Sequence, residues 1–384
     1  MIDIQILDKL NASTRQERLA NLREVLKTTE FPPMVPQYIN NHIHTTYSFS
    51  PYSPTAAVYA ARMEGLCTAG IIDHESMSGA EEFVEAAAIV DMPVTIGMEA
   101  RVSMDGTRLA GRRTNNPDQV GVSYMTIQSV PHNKIDTLTQ FFKPYQAARH
   151  TRNRQMLERI NALVGVELDY DRDVLPLSMA AENGGVTERH LMYALALCLE
   201  KQVGRGQPMI DKLAAMGMTL SEKQKTLLLD TEYPFYAYDV LGMLKGTFVP
   251  KIFIDATDEC PKLSDMVKLC KEVDAYLCYA YLGDVGDSVT GDKKAQKFED
   301  DYLDDVFECL KEEGVRAVTY MPTRNTPAQL ERLRSLCDAY GMFQISGEDI
   351  NTPRQSFVIK AMENPMFQNL IDATWKLIEH EKNT

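Results

Sequence analysis

The chain has no CxxC pair, no HExxH, no GxSxG and no GxGxxG. Zinc knuckles, zincin proteases, nucleophile-elbow serine hydrolases and dinucleotide-binding folds therefore have no foothold. Its cysteines, at 67, 198, 260, 270, 278, 309 and 337, are scattered and odd in number. No disulfide framework is expected, and a reducing cytoplasmic setting is. No apolar run approaches the roughly 20 residues that span a bilayer, and the opening MIDIQILDKLNAS lacks the order of a secretory signal. Basic residues are also in deficit: 40 Lys and Arg against 54 Asp and Glu give a formal charge of −14. General nucleic-acid binding and attachment to anionic membranes both need the opposite sign. A small phosphorylated ligand is compatible with this charge, because a metal ion and a few arginines can build a local positive pocket. GDSVTGDKK, residues 286–294, grazes the phosphate-loop pattern, but Asp292 intrudes before the lysine and sets it aside.

At 384 residues the chain has the length of one large domain carrying an insertion. Residues 8–29 read as one amphipathic helix. Ser13 and Thr14 offer capping starts with Gln16 and Glu17, and Leu19, Leu22, Val25 and Leu26 make a stripe. Three prolines in FPPMVPQY then break it. From Ile39 short apolar runs alternate with helical patterns. Ser53-Pro54 starts a helix that stops at Gly65, and CTAGIID and PVTIGMEARV bracket an Ala- and Glu-rich helix. This rhythm predicts a parallel sheet or barrel. It lapses over 145–230, where RHTRNRQMLERINALVG, TERHLMYALALCLEKQ and QPMIDKLAAMG follow one another without strands. It resumes with DAYLCYAYLGD, VRAVTYM and MFQISGED. The expected organisation is a helical extension over 1–35, a first barrel part over 36–145 and an inserted helical subdomain over 146–235. A second barrel part over 236–360 and a closing helix over 361–384 complete it.

The chemistry gathers where apolar runs end. In an extended strand, residues i and i+2 point the same way, so His42 and His44 of NNHIHTTYSFSPYSP can face one metal ion. An isolated HxH is weak evidence. Three further strand ends strengthen it: GIID stops at Asp73-His74, IGME at Glu99 and QISGED at Asp349. Polar residues leave the core at most strand ends. Four such ends, all with metal-ligand chemistry, favour a shared site at the mouth of a barrel.

HIHTTYSFSPYSP, IIDHESMSG, IGMEA and ISGEDIN, in that order, resemble the PHP family of metal-dependent phosphoesterases, named for polymerase and histidinol phosphatase. The resemblance covers roughly residues 40–125 and 240–352. It is most specific in DHESMSG, where Asp73, His74, Glu75, Ser76 and Gly79 fall in step. RxxR followed by TERHLMYAL resembles the helical insertion of one subgroup. The resemblance implies an α/β fold, a distorted (β/α)7 TIM-like barrel of the PHP type with an inserted α-helical subdomain. It also implies up to three Mn, Fe, Zn or Mg ions. The chain departs from the family signature at Ser48-Phe49-Ser50, which stands at SDG. It departs again at Ser123, Tyr281 and Asn351, which align with three signature histidines.

On this resemblance the first metal set is complete in His42, His44, Glu99 and Asp349, and the other two are dismantled, with only His74 left of the third. One divalent ion is expected: Zn, Mn or Fe, with Mg also admissible. Asp73 and His74 are the catalytic candidates, Asp73 orienting His74. Arg101, Arg189, His190, Arg324, Tyr281 and Asn351 are candidates for holding substrate, and Asp284 for a replacement ligand. The expected function is a metal-dependent phosphoesterase acting on a small phosphorylated molecule. The alternatives are a catalytically silent PHP-fold ligand-binding or regulatory protein, and a mononuclear hydrolase of a C–N or ester bond.

Overall fold

The computed structural model of the protein describes residues 3–285 and 296–383, and GDSVTGDKK lies outside them. Seven strands form one sheet in sequence order: β1 (Val35–Ile43), β2 (Leu66–His74), β3 (Val94–Ser103), β4 (Val122–Gln128), β5 (Tyr276–Ala280), β6 (Ala317–Tyr320) and β7 (Phe343–Ser346). β2 is buried at every residue but His74, and β3 at every residue between its two ends. Strands covered on both faces read as continuous apolar runs, which is why these were legible. The sheet curls until its first and last strands meet. Backbone bonds from His44 N–H to Ile350 O (2.9 Å) and from Ile350 N–H to His42 O (3.1 Å) close it just beyond β7. The result is the expected distorted seven-stranded barrel.

One strand departs from the predicted all-parallel rhythm. β4 runs antiparallel to both β3 and β5, while the other neighbouring pairs are parallel. A parallel return needs a crossover that carries the chain back along the sheet, usually a helix. Residues 104–121 contain none, so the chain turns back beside β3.

The N-terminal helix is also two helices, α1 (Ile4–Leu10) and α2 (Arg15–Val25). Asp3 caps the first, and Thr14 caps the second through a capping box with Glu17. That capping signal starts a new helix ahead of the apolar stripe. α3 (Pro54–Met63) begins at its Ser53 cap as read, and α4 (Ala80–Ile89) follows β2. α5 (Ile135–Val164) leaves the barrel and becomes the first helix of a separate apolar core. That core also takes in α6 (Glu188–Val203), α7 (Gln207–Ala215), α8 (Glu222–Leu229) and α9 (Tyr236–Ile252). The helical cluster thus runs past residue 235 to Ile252, because Val240, Leu241, Leu244 and Phe248 share this second core. α10 (Leu263–Val273), α11 (Leu303–Glu313), α12 (Pro327–Tyr340) and α13 (Gln368–Asn383) complete the helices. Among the described residues no helix is long and apolar enough to cross a membrane.

Candidate metal centre

Parallel strands deliver their C-terminal ends to one face. β1 brings His42 and, one residue beyond it, His44; β2 ends at His74, which is paired in register with Glu99 of β3. Asp349 comes alongside through the Ile350 bonds that close the barrel. Glycine permits this closeness: a Cβ at Gly347 would lie 2.7 Å from His42 Cβ. Asn40 fixes the seam. Its side chain accepts from the N–H groups of His42 and Glu348 and donates to Glu348 O, each at 3.0 Å.

The donor atoms converge. His44 Nε2 lies 3.2 Å from Asp349 Oδ1 and 4.0 Å from Glu99 Oε2. His42 Nε2 and His74 Nδ1 lie 3.8 and 3.3 Å from that same Glu99 oxygen. Two donors about 2.1 Å from one ion at a tetrahedral angle stand about 3.4 Å apart, so the spacing suits a single cation among them. The three imidazole nitrogens are buried and make no hydrogen bond. Buried polar atoms are rarely left unpaired, and three orphans aimed at one point fit a missing positive partner.

Asp73 takes a different part from the one its sequence position suggested. Its Oδ1 accepts from Thr45 N–H (2.7 Å) and Ser48 Oγ (2.6 Å), and its Oδ2 from Thr45 Oγ1 (2.6 Å). The Ser48 proton is thereby committed to Asp73, so His44 Nδ1–H donates to Ser48 Oγ at 3.1 Å. Asp73 orients His44 through Ser48 rather than His74. This fixes the tautomer that turns the His44 Nε2 lone pair inward. The two ligand groups His42–His44–Asp349 and His44–His74–Glu99 share His44.

Charges are arranged for a cation as well. Desolvation opposes the Asp349 charge, yet the contact with His44 and the neighbouring His42 and Arg189 hold its pKa well below the usual range. His42 goes the other way: burial disfavours its charge, but Glu99 and Asp349 outweigh that and raise its pKa. Burial, then His44 and Arg149, keep His74 well below 6.5, hence neutral with a lone pair to offer.

The remaining candidates divide sharply. Arg101 lies inside a buried network in which Arg101, Arg149 and Arg152 meet Glu75, Glu188 and Glu259. That network ties β3 and the loop after β2 to α5, α6 and the segment before α10, so Arg101 has no reach toward a ligand. His190 is a helix cap: its Nδ1 accepts from Thr187 N–H, and burial lowers its pKa to about 3. Tyr281 donates to Asp300 Oδ1 (2.6 Å). Asp284 accepts from Phe298 N–H and pairs with Lys297, outside the metal-ligand groups found among the described residues. Arg324 donates from Nε to Leu282 O. Arg189 and Asn351 are at the centre: Arg189 Nη1 donates to Asn351 Oδ1 (2.6 Å), and Asn351 Nδ2 to Asp349 Oδ1 (2.5 Å).

Two of the altered signature positions are explained by where they point. Ser123 faces Thr114 in the wall of the barrel, while its neighbour Tyr124 turns toward His74, ring centroids 6.2 Å apart. Phe49 leaves the metal cluster altogether and packs on His190, Tyr193 and Tyr238 at 4.9–5.6 Å. A cavity beside His74 is lined by Tyr124, Arg149, Arg189 and Lys245, together with the carboxylates of Asp118 and Glu188. Arg149 belongs to the RxxR stretch, where the sequence assigned it no role, and Lys245 carried no signal. Both sit in ordinary helical patterns of the insertion, and only its fold brings them to the barrel mouth.

Fold and site define an α/β-barrel protein with a candidate metal centre at the C-terminal ends of its strands. Residues 40–126 match the PHP domain. Over 96 residues it is 32% identical to the error-prone DNA polymerases of Mycobacterium tuberculosis and Mycobacterium bovis, an alignment covering 24% of this chain and 8% of theirs. The chain thus matches less than a tenth of these curated relatives. Among solved structures it resembles one described as a metal-dependent phosphoesterase from Bifidobacterium adolescentis. That pair has a TM-score of 0.55 and 18% identity, covering 88% of this chain and 98% of the other. It also resembles an amidohydrolase from Chromobacterium violaceum solved with sulfate and no metal, at TM-score 0.55 and 15% identity over 88% and 96% of the two chains. At these identities the two structures establish the shared fold.

Proposed function

We propose that the protein is a metal-dependent phosphoesterase that binds one Zn²⁺, Mn²⁺ or Fe²⁺ and acts on a small phosphorylated molecule. The observation that carries this is the convergence of His42, His44, His74, Glu99 and Asp349, with three buried imidazole nitrogens unpaired, beside a cavity that carries Arg149, Arg189 and Lys245. When bound, the ion supplies Lewis acidity toward a phosphoryl oxygen and toward water. The protein's own residues do the rest. Arg189 presents a planar fork of donors suited to a phosphoryl group, and Lys245 lines the same cavity. With one cation bound, these side chains would take up the charge of the leaving oxygen. Tyr124 is kept protonated by burial, so it is a hydrogen-bond donor rather than a base.

The test is metal content followed by phosphate release from a panel of monophosphates with added Mn²⁺ or Zn²⁺. One equivalent of metal with release that Arg189→Ala lowers at least tenfold supports the proposal. One equivalent and no release from any monophosphate would instead favour a binding or regulatory protein on the same fold.

A further inference from the structure

Among the described residues the Asn351 side chain bonds to two others, the candidate metal ligand Asp349 and the candidate anion-binding Arg189. Its amide orientation is unambiguous, since a guanidinium only donates and an ionised carboxylate only accepts. The backbone beneath it is clamped as well. Gln355 Oε1 accepts from the N–H groups of Asn351 and Thr352, both at 2.9 Å, and Gln355 Nε2 donates to Asp349 O at 2.6 Å. Asn351 is 7% exposed, so water competes little for either bond. Arg189 spends one nitrogen here, on the side chain of Asn351 and more distantly on its carbonyl (3.5 Å), and a guanidinium carries five donors. The rest of its fork remains to meet a ligand in the cavity.

We propose that Asn351 is a positioning residue that couples oxyanion capture by Arg189 to metal binding by Asp349. The proposal rests on the metal-centre reading and deepens it by giving the site its regulation. A cation that draws in Asp349 immobilises Asn351, which immobilises the Arg189 fork toward the cavity. By linkage, an anion held on Arg189 tightens the metal in return. Hydrogen bonds to ligating carboxylates typically matter 10–100-fold in metal affinity.

The sign of one measurement separates this relay from plain electrostatics. Through space, deleting the positive charge of Arg189 removes a repulsion and tightens a nearby cation. Through the relay, the same deletion frees Asn351 and loosens it. Titrate Mn²⁺ or Zn²⁺ calorimetrically into the metal-depleted full-length protein, as wild type, Arg189→Ala, Asn351→Ala and the double variant, with and without inorganic phosphate, checking each fold by thermal melting. The relay predicts roughly tenfold weaker metal binding in Asn351→Ala and several-fold weaker binding in Arg189→Ala. In the double variant it predicts no further loss beyond Asn351→Ala alone. It also predicts that phosphate tightens the metal in the wild type and does so several-fold less in Asn351→Ala. Tighter or unchanged metal in Arg189→Ala, or additive losses in the double variant, overturns it. Failure of the wild type to bind metal would overturn the metal-centre reading itself. Normal wild-type binding with additive variants would sink only the relay.

Discussion

At the scale of single residues, the hydroxyl of Ser48 decides which nitrogen of His44 faces the cluster. Its proton belongs to Asp73, so the imidazole donates outward and offers its lone pair inward. Ser48→Ala leaves His44 free to choose the other tautomer, and Asp73→Asn supplies an amide that can donate in the wrong direction. Each is expected to weaken metal binding at least tenfold while the protein stays folded, measurable by competition with a chromophoric chelator. Unchanged affinity in both variants would dissociate the Asp73–Ser48–His44 chain from metal binding.

At the scale of elements, the question is what holds the helical insertion over the barrel mouth. Phe49 is one anchor, a residue of the loop between β1 and α3 that is buried in the second apolar core. Phe49→Ala is expected to cost about 3–5 kcal/mol, read from urea melts, with faster proteolysis within 146–252 than in the strands. A second element-scale device lies after β5, where Glu299 Oε1 accepts from the N–H groups of Leu282 (2.9 Å) and Gly283 (3.2 Å). Burial pushes its carboxyl up to about 7 from 4.5. The folded state therefore binds this proton more tightly than the unfolded chain. Its contribution to stability is full below about 4.5 and is lost as pH rises through about 7. Glu299→Gln keeps the accepting oxygen and removes the charge. It should stabilise the protein at pH 8 by about 1–3 kcal/mol and do little at pH 5. Equal effects at the two pH values in denaturant melts would refute the assignment.

For the whole molecule, the candidate metal ligands come from both ends of the closed barrel: β1, β2 and β3 at the start, and the loop after β7 at the finish. Binding an ion there fastens the seam, so metal and global stability are linked. At a free metal concentration about 1,000 times Kd the gain is roughly 4 kcal/mol. The melting temperature should fall by several degrees when a chelator removes the ion, and one equivalent of metal should restore it. A saturating stoichiometry of two or three would contradict the single-cation reading of the shared His44. An unchanged melting temperature would mean that the ion does not bridge the seam.

The sequence alone determined the strand ends and the chemistry they carry. His42, His44, His74 and Asp349 stand at or just beyond strand ends as read, whereas Glu99 lies within β3, which runs on to Ser103, and strands buried on both faces announce themselves through composition. It also determined the caps at Thr14 and Ser53, which depend on neighbours a few residues away. What lay beyond it depended on partners far along the chain. The direction of β4 followed from a connection without a helix, and Tyr124 rather than Ser123 faces the site because of the register of β4 on β3. Asp73 serves His44 because a loop folds back over it, and Arg149 and Lys245 reach the cavity only because the insertion closes over the barrel. Local sequence fixes which groups are available and how a strand or cap begins. Which of those groups meet is set by long-range packing, and that is where this candidate site is assembled.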